Sequence, residues 1–125
     1  MNLLLDSHAL LWFLHAPTRL RSQARDAIAD PERAVYFSAA SVWELELKAV
    51  AGRLDLPTGW VSDAESTGFV ELPITAADAR ASAHLPRIHG DPFDRILIAQ
   101  AKAGGLTLVT RDQAIGRYDV AVLEA

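Results

Sequence analysis

The side chains with most chemistry to offer are four acids far apart in the chain. Asp6 ends a short apolar run, Leu3-Leu4-Leu5, and Asp112 closely follows another, residues 106–110. Glu44 and Asp94 each fall in the first turn of a helical pattern. If the two apolar runs are neighbouring parallel strands, Asp6 and Asp112 reach the same sheet edge. Helices opening at that edge would bring Glu44 and Asp94 to the same cleft. Carboxylates crowded in this way repel and raise one another's pKa, and a divalent cation removes that cost. The chain has no cysteine, and oxygen-only donors favour a hard ion, Mg²⁺ or Mn²⁺. Carboxylates holding one or two such ions can activate water and steady the charge on a phosphate during in-line displacement. The chemistry would be phosphodiester hydrolysis.

Each acid also has a purely local explanation. Asp6 suits the N-cap of a helix starting at Ser7. Glu44 completes the capping-box pattern Ser41-Val42-Trp43-Glu44 and stands one turn before Lys48. Asp94 lies three residues after Asp91, where an acid suits a helix dipole. Asp112 fits a turn. Taken together, these local roles do not require all four acids to share one edge.

The elements that must position the acids alternate. Strand-like runs occupy 2–5, 34–37 and 106–110, with a last strand at 120–123 and a partly alternating segment, interrupted by Pro73, at 69–74. Helical patterns cover 7–15, 20–30, 41–51 (closed by Gly52), 60–66 and 75–85, the last with Thr75 as cap and Asp78 in its first turn. The clearest helix opens at Asp91-Pro92-Phe93-Asp94 and runs to Gly104-Gly105, with proline at its first position. Helices between strands imply crossover connections and a mainly parallel sheet covered on both faces. Functional groups in such folds gather outside the carboxyl ends of the strands. Trp12, Trp43 and Trp60 read as packing residues, Trp43 and Leu47 being spaced like core neighbours on a helix.

A length of 125 residues suits one domain spanning 1–125, and 50% apolar with 22% charged residues suits a folded globular chain. Without cysteine there is no disulfide scaffold, cysteine-based zinc site or thiol nucleophile. Neither a secretory leader nor an apolar run of membrane-spanning length stands out, so a cytoplasmic protein with no membrane partner is expected. The net charge of −4 argues against a non-specific nucleic-acid binder. It leaves room for local basic patches and for a metal that offsets the acids.

Four stretches, in order, carry a family resemblance. They are Leu4-Leu5-Asp6-Ser7-His8-Ala9-Leu10-Leu11-Trp12, then Ser38-Ala39-Ala40-Ser41-Val42-Trp43-Glu44. His89-Gly90-Asp91-Pro92-Phe93-Asp94-Arg95 follows, with Leu97-Ile98-Ala99-Gln100-Ala101, and Leu108-Val109-Thr110-Arg111-Asp112 completes the set. With these stretches the chain resembles a PIN domain, and more narrowly the toxin nuclease of a VapBC-type toxin–antitoxin pair. The likeness spans nearly the whole chain, although 54–83 carries no diagnostic motif.

The resemblance implies a three-layer α/β/α fold and a Mg²⁺- or Mn²⁺-dependent endoribonuclease that cuts RNA to leave a 5′-phosphate. It further implies inhibition by a cognate VapB-type antitoxin, and a homodimer. Asp6, Glu44, Asp94 and Asp112 match the family's catalytic, metal-binding acids. Asp91 belongs to the Asp-Pro-Phe-Asp form of the motif and reads first as a helix cap, second as a ligand through water. His8 and His89 are candidates for substrate contact, His89 the better one, with structural hydrogen bonding as the alternative. Ser38 and Thr110 could orient a carboxylate or a water, or serve as caps. Arg95 and Arg111 could meet phosphate or simply pair with the acids. Two other functions compete: a PIN nuclease of RNA processing or of DNA, without toxicity, and a catalytically silent binding module. The presence of all four acids argues against the last.

Overall fold

Leu3, Leu4 and Leu5 are all fully buried, and they face alternately into two cores. A strand must have period two to do this, and a strand apolar on both faces must have layers on both sides. The computed structural model describes residues 1–125. Its elements are β1 (Leu3–Leu5), α1 (Ser7–His15), α2 (Ser22–Ala29), β2 (Val35–Ser38), α3 (Ala39–Val50), α4 (Trp60–Ser66), β3 (Val70–Leu72), α5 (Ala76–Ala83), α6 (Pro92–Gly104), β4 (Thr107–Thr110) and β5 (Val122–Glu124).

The sheet order is β3-β2-β1-β4-β5, and every pairing is parallel. In the central register Leu5 lies beside Phe37 on one side and Val109 on the other. One core packs Leu3, Leu5, Phe37 and Val109 against Ala9, Leu10, Ala24, Ile28, Leu45, Trp60 and Ala64 of the first four helices. The other packs Leu4 and Leu108 against Leu97, Ile98 and Ala101 of α6, which α5 covers. The expected three-layer α/β/α architecture is therefore present. Chain direction across the sheet reverses between β1 and β4, and that switch point is where Asp6 and Asp112 emerge. No helix is long and apolar enough to cross a membrane.

Four local expectations differ from the structure. First, α3 begins at Ala39, because Ser38 has an extended backbone and its hydroxyl accepts from the Ala40 N–H at 3.0 Å. The capping box expected at Ser41 and Glu44 does not form, and Ser41 lies inside the helix. Second, Trp43 and Leu47 are not core neighbours: they are 59% and 48% exposed. The buried side of α3 carries Ala40, Ser41, Glu44 and Leu45, so these two face away from it. Third, the segment at 69–74 shortens to Val70–Leu72, an edge strand just before Pro73, where proline has no N–H for a ladder. Fourth, the second helical pattern, 20–30, shortens to α2, and a separate 3₁₀ turn at Pro17–Arg19 precedes it. The Thr75–Asp78 capping box forms as expected, with both bonds at 3.1 Å.

Candidate active site

Each of the four acids is positioned by the element that carries it. Asp6 ends β1 and caps α1, its Oδ1 accepting from the Ala9 N–H at 2.8 Å. Asp112 follows β4, where its Oδ1 accepts from the Ala114 N–H at 2.9 Å and its own N–H donates to the Thr110 hydroxyl at 3.1 Å. Asp94 stands in the first turn of α6, capped by Asp91, whose Oδ1 accepts from the N–H groups of Phe93 and Asp94 at 2.8 and 3.2 Å. Glu44 is on the second turn of α3. Its Oε1 accepts from the Ser7 hydroxyl at 2.5 Å and its Oε2 pairs with Lys48 at 3.2 Å.

These acids line one cleft of about 250 Å³ at the carboxyl edge of the sheet, together with Asp91, His89, His8, Ser7, Lys48, Arg111 and Trp12. Asp6 and Glu44 are buried, at 6% and 8% exposure. Burial pushes the Asp94 carboxyl up to about 6, with the charges of Asp91, Glu44 and Asp6 adding to the rise and the hydrogen bond from His89 opposing it. Burial also raises Asp6, assisted by Glu44, against the lowering effect of the Ala9 N–H, the Thr110 hydroxyl and His8. Burial alone would lower the His89 imidazole. Its bond to Asp94 and the charges of Asp94, Asp112 and Asp91 outweigh that and raise it above 6.5. His89 Nε2 lies 2.8 Å from Asp94 Oδ2 and 3.0 Å from Asp112 Oδ2.

The local and the chemical readings of the acids are thus compatible. Asp6, Asp91 and Asp112 hold backbone N–H groups and line the cleft as well. Of the other residues singled out in the sequence, His8, His89 and Arg111 reach the cleft. Ser38 is fully buried at its helix cap, and Thr110 sits beneath Asp6 and Asp112 as a support. Arg95 turns away from the acids. Its guanidinium donates to the carbonyls of Ser82, Leu85, Pro86 and His89 at 2.8 to 3.2 Å, and so ties down the loop before α6. Arg111 lies 4.3 Å over the Trp12 ring and donates to the carbonyls of Arg19 and Ala125.

The Glu44–Lys48 pair expected from the sequence forms, whereas sequence reasoning missed Ser7 as the partner of Glu44 and Tyr118 as a brace for the loop. The Asp6-Ser7 dipeptide at a strand end was the available signal for the first. Tyr118 donates to the Pro86 carbonyl and accepts from the His89 N–H, both at 2.8 Å, and nothing local in the sequence points to that.

An all-parallel α/β/α domain with four acids converging at the switch point of its sheet defines a class. Residues 3–121 match the PIN domain, and the chain belongs to that family. Among relatives, it is 35% identical over 120 residues to ribonuclease VapC22 of Mycobacterium tuberculosis, an alignment covering 91% of this chain and 89% of that protein. Among solved structures it is similar to VapBC2 from Rickettsia felis bound to a promoter DNA fragment, with a TM-score of 0.72 at 14% identity over 99% of this chain and 98% of that one. DNA-bound VapBC from Salmonella typhimurium gives 0.70 at 15% identity, again over 99% and 98%. At such identities the solved structures speak for the fold.

Proposed function

We propose that the protein is a divalent-cation-dependent endoribonuclease, the toxin of a toxin–antitoxin pair, with Asp6, Glu44, Asp94 and Asp112 as its catalytic, metal-binding acids. The observation that carries this reading is the convergence of those acids on one cleft, where burial and mutual repulsion raise Asp6 and Asp94. Holding like charges together in a buried site has an evident use only if a cation joins them. The donor set fits: carboxylate oxygens, the His89 imidazole beside them and no thiol suit Mg²⁺ or Mn²⁺. When bound, such an ion polarises the scissile phosphate and lowers the pKa of a nearby water.

The chain's own residues supply orientation and charge. Ser7 and Lys48 hold Glu44, the Ala9 N–H and Thr110 hold Asp6, and His89 holds Asp94. Lys48 and Arg111 place two positive charges beside the five acids of the cleft, which a bound divalent cation would bring near balance for an incoming phosphate. Exposed His8 at the cleft wall offers a face for an RNA base, whereas the Trp12 ring carries the Arg111 guanidinium.

The likeness to VapC22 and to VapBC complexes supports a VapB-type antitoxin as partner and a bacterial cytoplasmic setting. A homodimer is supported by an apolar groove of about 540 Å³, lined by Trp43, Ile74, Pro92, Phe93 and Ile96, beside exposed Leu47. The test is cleavage of a structured RNA pool by purified protein in Mg²⁺ or Mn²⁺, with EDTA and Asp94→Asn run in parallel. Cuts lost in both controls are expected. Cuts that survive Asp94→Asn would sink the assignment of the acids. Growth arrest on expression, relieved by the product of an adjacent small gene, is the outcome that separates a toxin from a housekeeping RNA-processing enzyme.

A further inference from the structure

At one side of the cleft three donor atoms arrive from three segments of the chain. His89 Nε2, Asp94 Oδ2 and Asp112 Oδ2 meet with separations of 2.8 and 3.0 Å about the imidazole nitrogen. One donor atom from each residue falls within 4.8 Å of the others. Adjacent ligands of an octahedral ion with bonds of about 2.1 Å are about 3.0 Å apart, and opposite ones about 4.2 Å. The two separations from the imidazole nitrogen therefore match adjacent ligands of one coordination shell. Hydrogen bonds have that spacing too, so distance alone does not separate a ligand from a counter-ion.

The backbone around His89 favours the ligand. Its N–H donates to the Tyr118 hydroxyl at 2.8 Å, and its carbonyl accepts from Arg95 Nη1 at 3.2 Å. Tyr118 and Arg95 also both donate to the Pro86 carbonyl, at 2.8 and 3.0 Å, so the segment leading to His89 is clamped twice. A counter-ion works over a range of positions. A ligand must be held to a few tenths of an ångström by groups behind it.

Resting on the reading of the acids as a cation site, the geometry points to His89 as a nitrogen ligand to the ion shared by Asp94 and Asp112. Tyr118 and Arg95 are its positioning residues. An imidazole among carboxylates biases the site towards a transition ion, so the chain holds Mn²⁺ more tightly than Mg²⁺.

The test is pulsed EPR of the full chain loaded with Mn²⁺, prepared with ¹⁴N- and ¹⁵N-labelled histidine, beside Mn²⁺ and Mg²⁺ titrations. A histidine-nitrogen coupling is expected in the wild type and absent in His89→Gln. That variant should bind Mn²⁺ at least about tenfold more weakly and lose most of the preference over Mg²⁺. His89 is partly exposed, and a circular dichroism spectrum like that of the wild type checks that the variant folds. Tyr118→Phe should keep the coupling but alter its strength and weaken Mn²⁺ binding. Unchanged coupling and affinity there would remove the positioning role. Bound Mn²⁺ with no histidine coupling would make His89 a displaced counter-ion, overturning this inference while leaving the carboxylate site intact. Coupling that persists in His89→Gln would assign the nitrogen to another histidine and overturn it equally. No Mn²⁺ binding at all would overturn the cation site itself.

Discussion

Asp94→Asn should make the ion-free protein more stable, not less, and the gain should depend on pH. The folded protein holds Asp94 at about 6 against an ordinary 3.8. A gap of about two units corresponds to about 3 kcal/mol between its protonated and charged forms. The sign follows from which state prefers the proton. Because the folded pKa is raised, the folded state keeps the proton to higher pH than the unfolded chain does. Its contribution to stability is full below 3.8 and is lost as pH rises through about 6. At pH 8 the wild type carries the whole penalty and the amide carries none.

The value of about 6 is already net of the His89 bond, but the amide's NH₂ must stand where a carboxylate oxygen stood among the cleft's polar groups, and that mismatch costs about 1 kcal/mol. A net gain of about 1–2 kcal/mol remains, roughly 3–8 °C in Tm for a domain of this size. The assay is thermal unfolding in EDTA at pH 8 and at pH 4. The variant should melt higher at pH 8, and the difference should shrink towards pH 4. Addition of Mg²⁺ or Mn²⁺ should reverse the order, because a ligand at a hundred times its Kd stabilises the wild type by about 2.7 kcal/mol and the variant has lost a ligand. A variant less stable than the wild type at pH 8 in EDTA, or a gap indifferent to pH, would refute the claim that Asp94 is held at an electrostatic cost.

Three further outcomes follow from other contacts. Ser7→Ala removes the hydroxyl that fixes Glu44 and should weaken Mn²⁺ binding by about 10–100-fold with little change in the urea midpoint, both read by titration. Arg95→Lys keeps the charge but loses the planar fork that reaches four carbonyls, and should cost about 2 kcal/mol in urea unfolding. Trp43→Glu puts a charge on the exposed apolar groove and should yield monomer by light scattering while the melting temperature stays near that of the wild type; a dimer that persists would place the interface elsewhere.

The sheet and the acids were legible because their signals are local. β1, α1, α4 and the start of α6 announce themselves by apolar runs, by Gly59 in a left-handed turn at φ 76° and by Asp91-Pro92. Glu44 is placed at this edge by the connection from β2 into α3, and only the competing capping-box explanation fails. Ser38 and Ser41 are both plausible caps, and only the end of β2 decides in favour of Ser38. Trp43 was misplaced because α3 is apolar on more than one side, and helical spacing does not say which side meets the sheet. Arg95 and Arg111 sit beside acids in sequence, yet their partners are carbonyls up to 92 residues away. Long side chains follow tertiary acceptors, which no neighbour in sequence reveals.

How each carboxylate is held predicts which variants damage folding and which damage the ion site alone. Asp6, Asp91 and Asp112 are anchored to backbone N–H groups of their own segment, at 2.8, 2.8 and 2.9 Å. Glu44 and Asp94 are aimed by other side chains: Ser7 of α1 and Lys48 one turn on in α3 for Glu44, His89 of the preceding loop for Asp94. The first group holds local backbone, so removing Asp6 or Asp91 removes a helix cap, and removing Asp112 a turn contact, as well as a charge. Asp91→Ala should therefore cost about 1 kcal/mol of stability, as cap losses do, even in EDTA, where ion binding contributes nothing. Ser7→Ala should change stability in EDTA far less than Asp91→Ala does, because Glu44 keeps its bond to Lys48. Urea unfolding of the two variants in EDTA decides it. Equal losses would mean that the Ser7–Glu44 contact is part of the fold's framework, and that the division between anchored and aimed carboxylates is wrong.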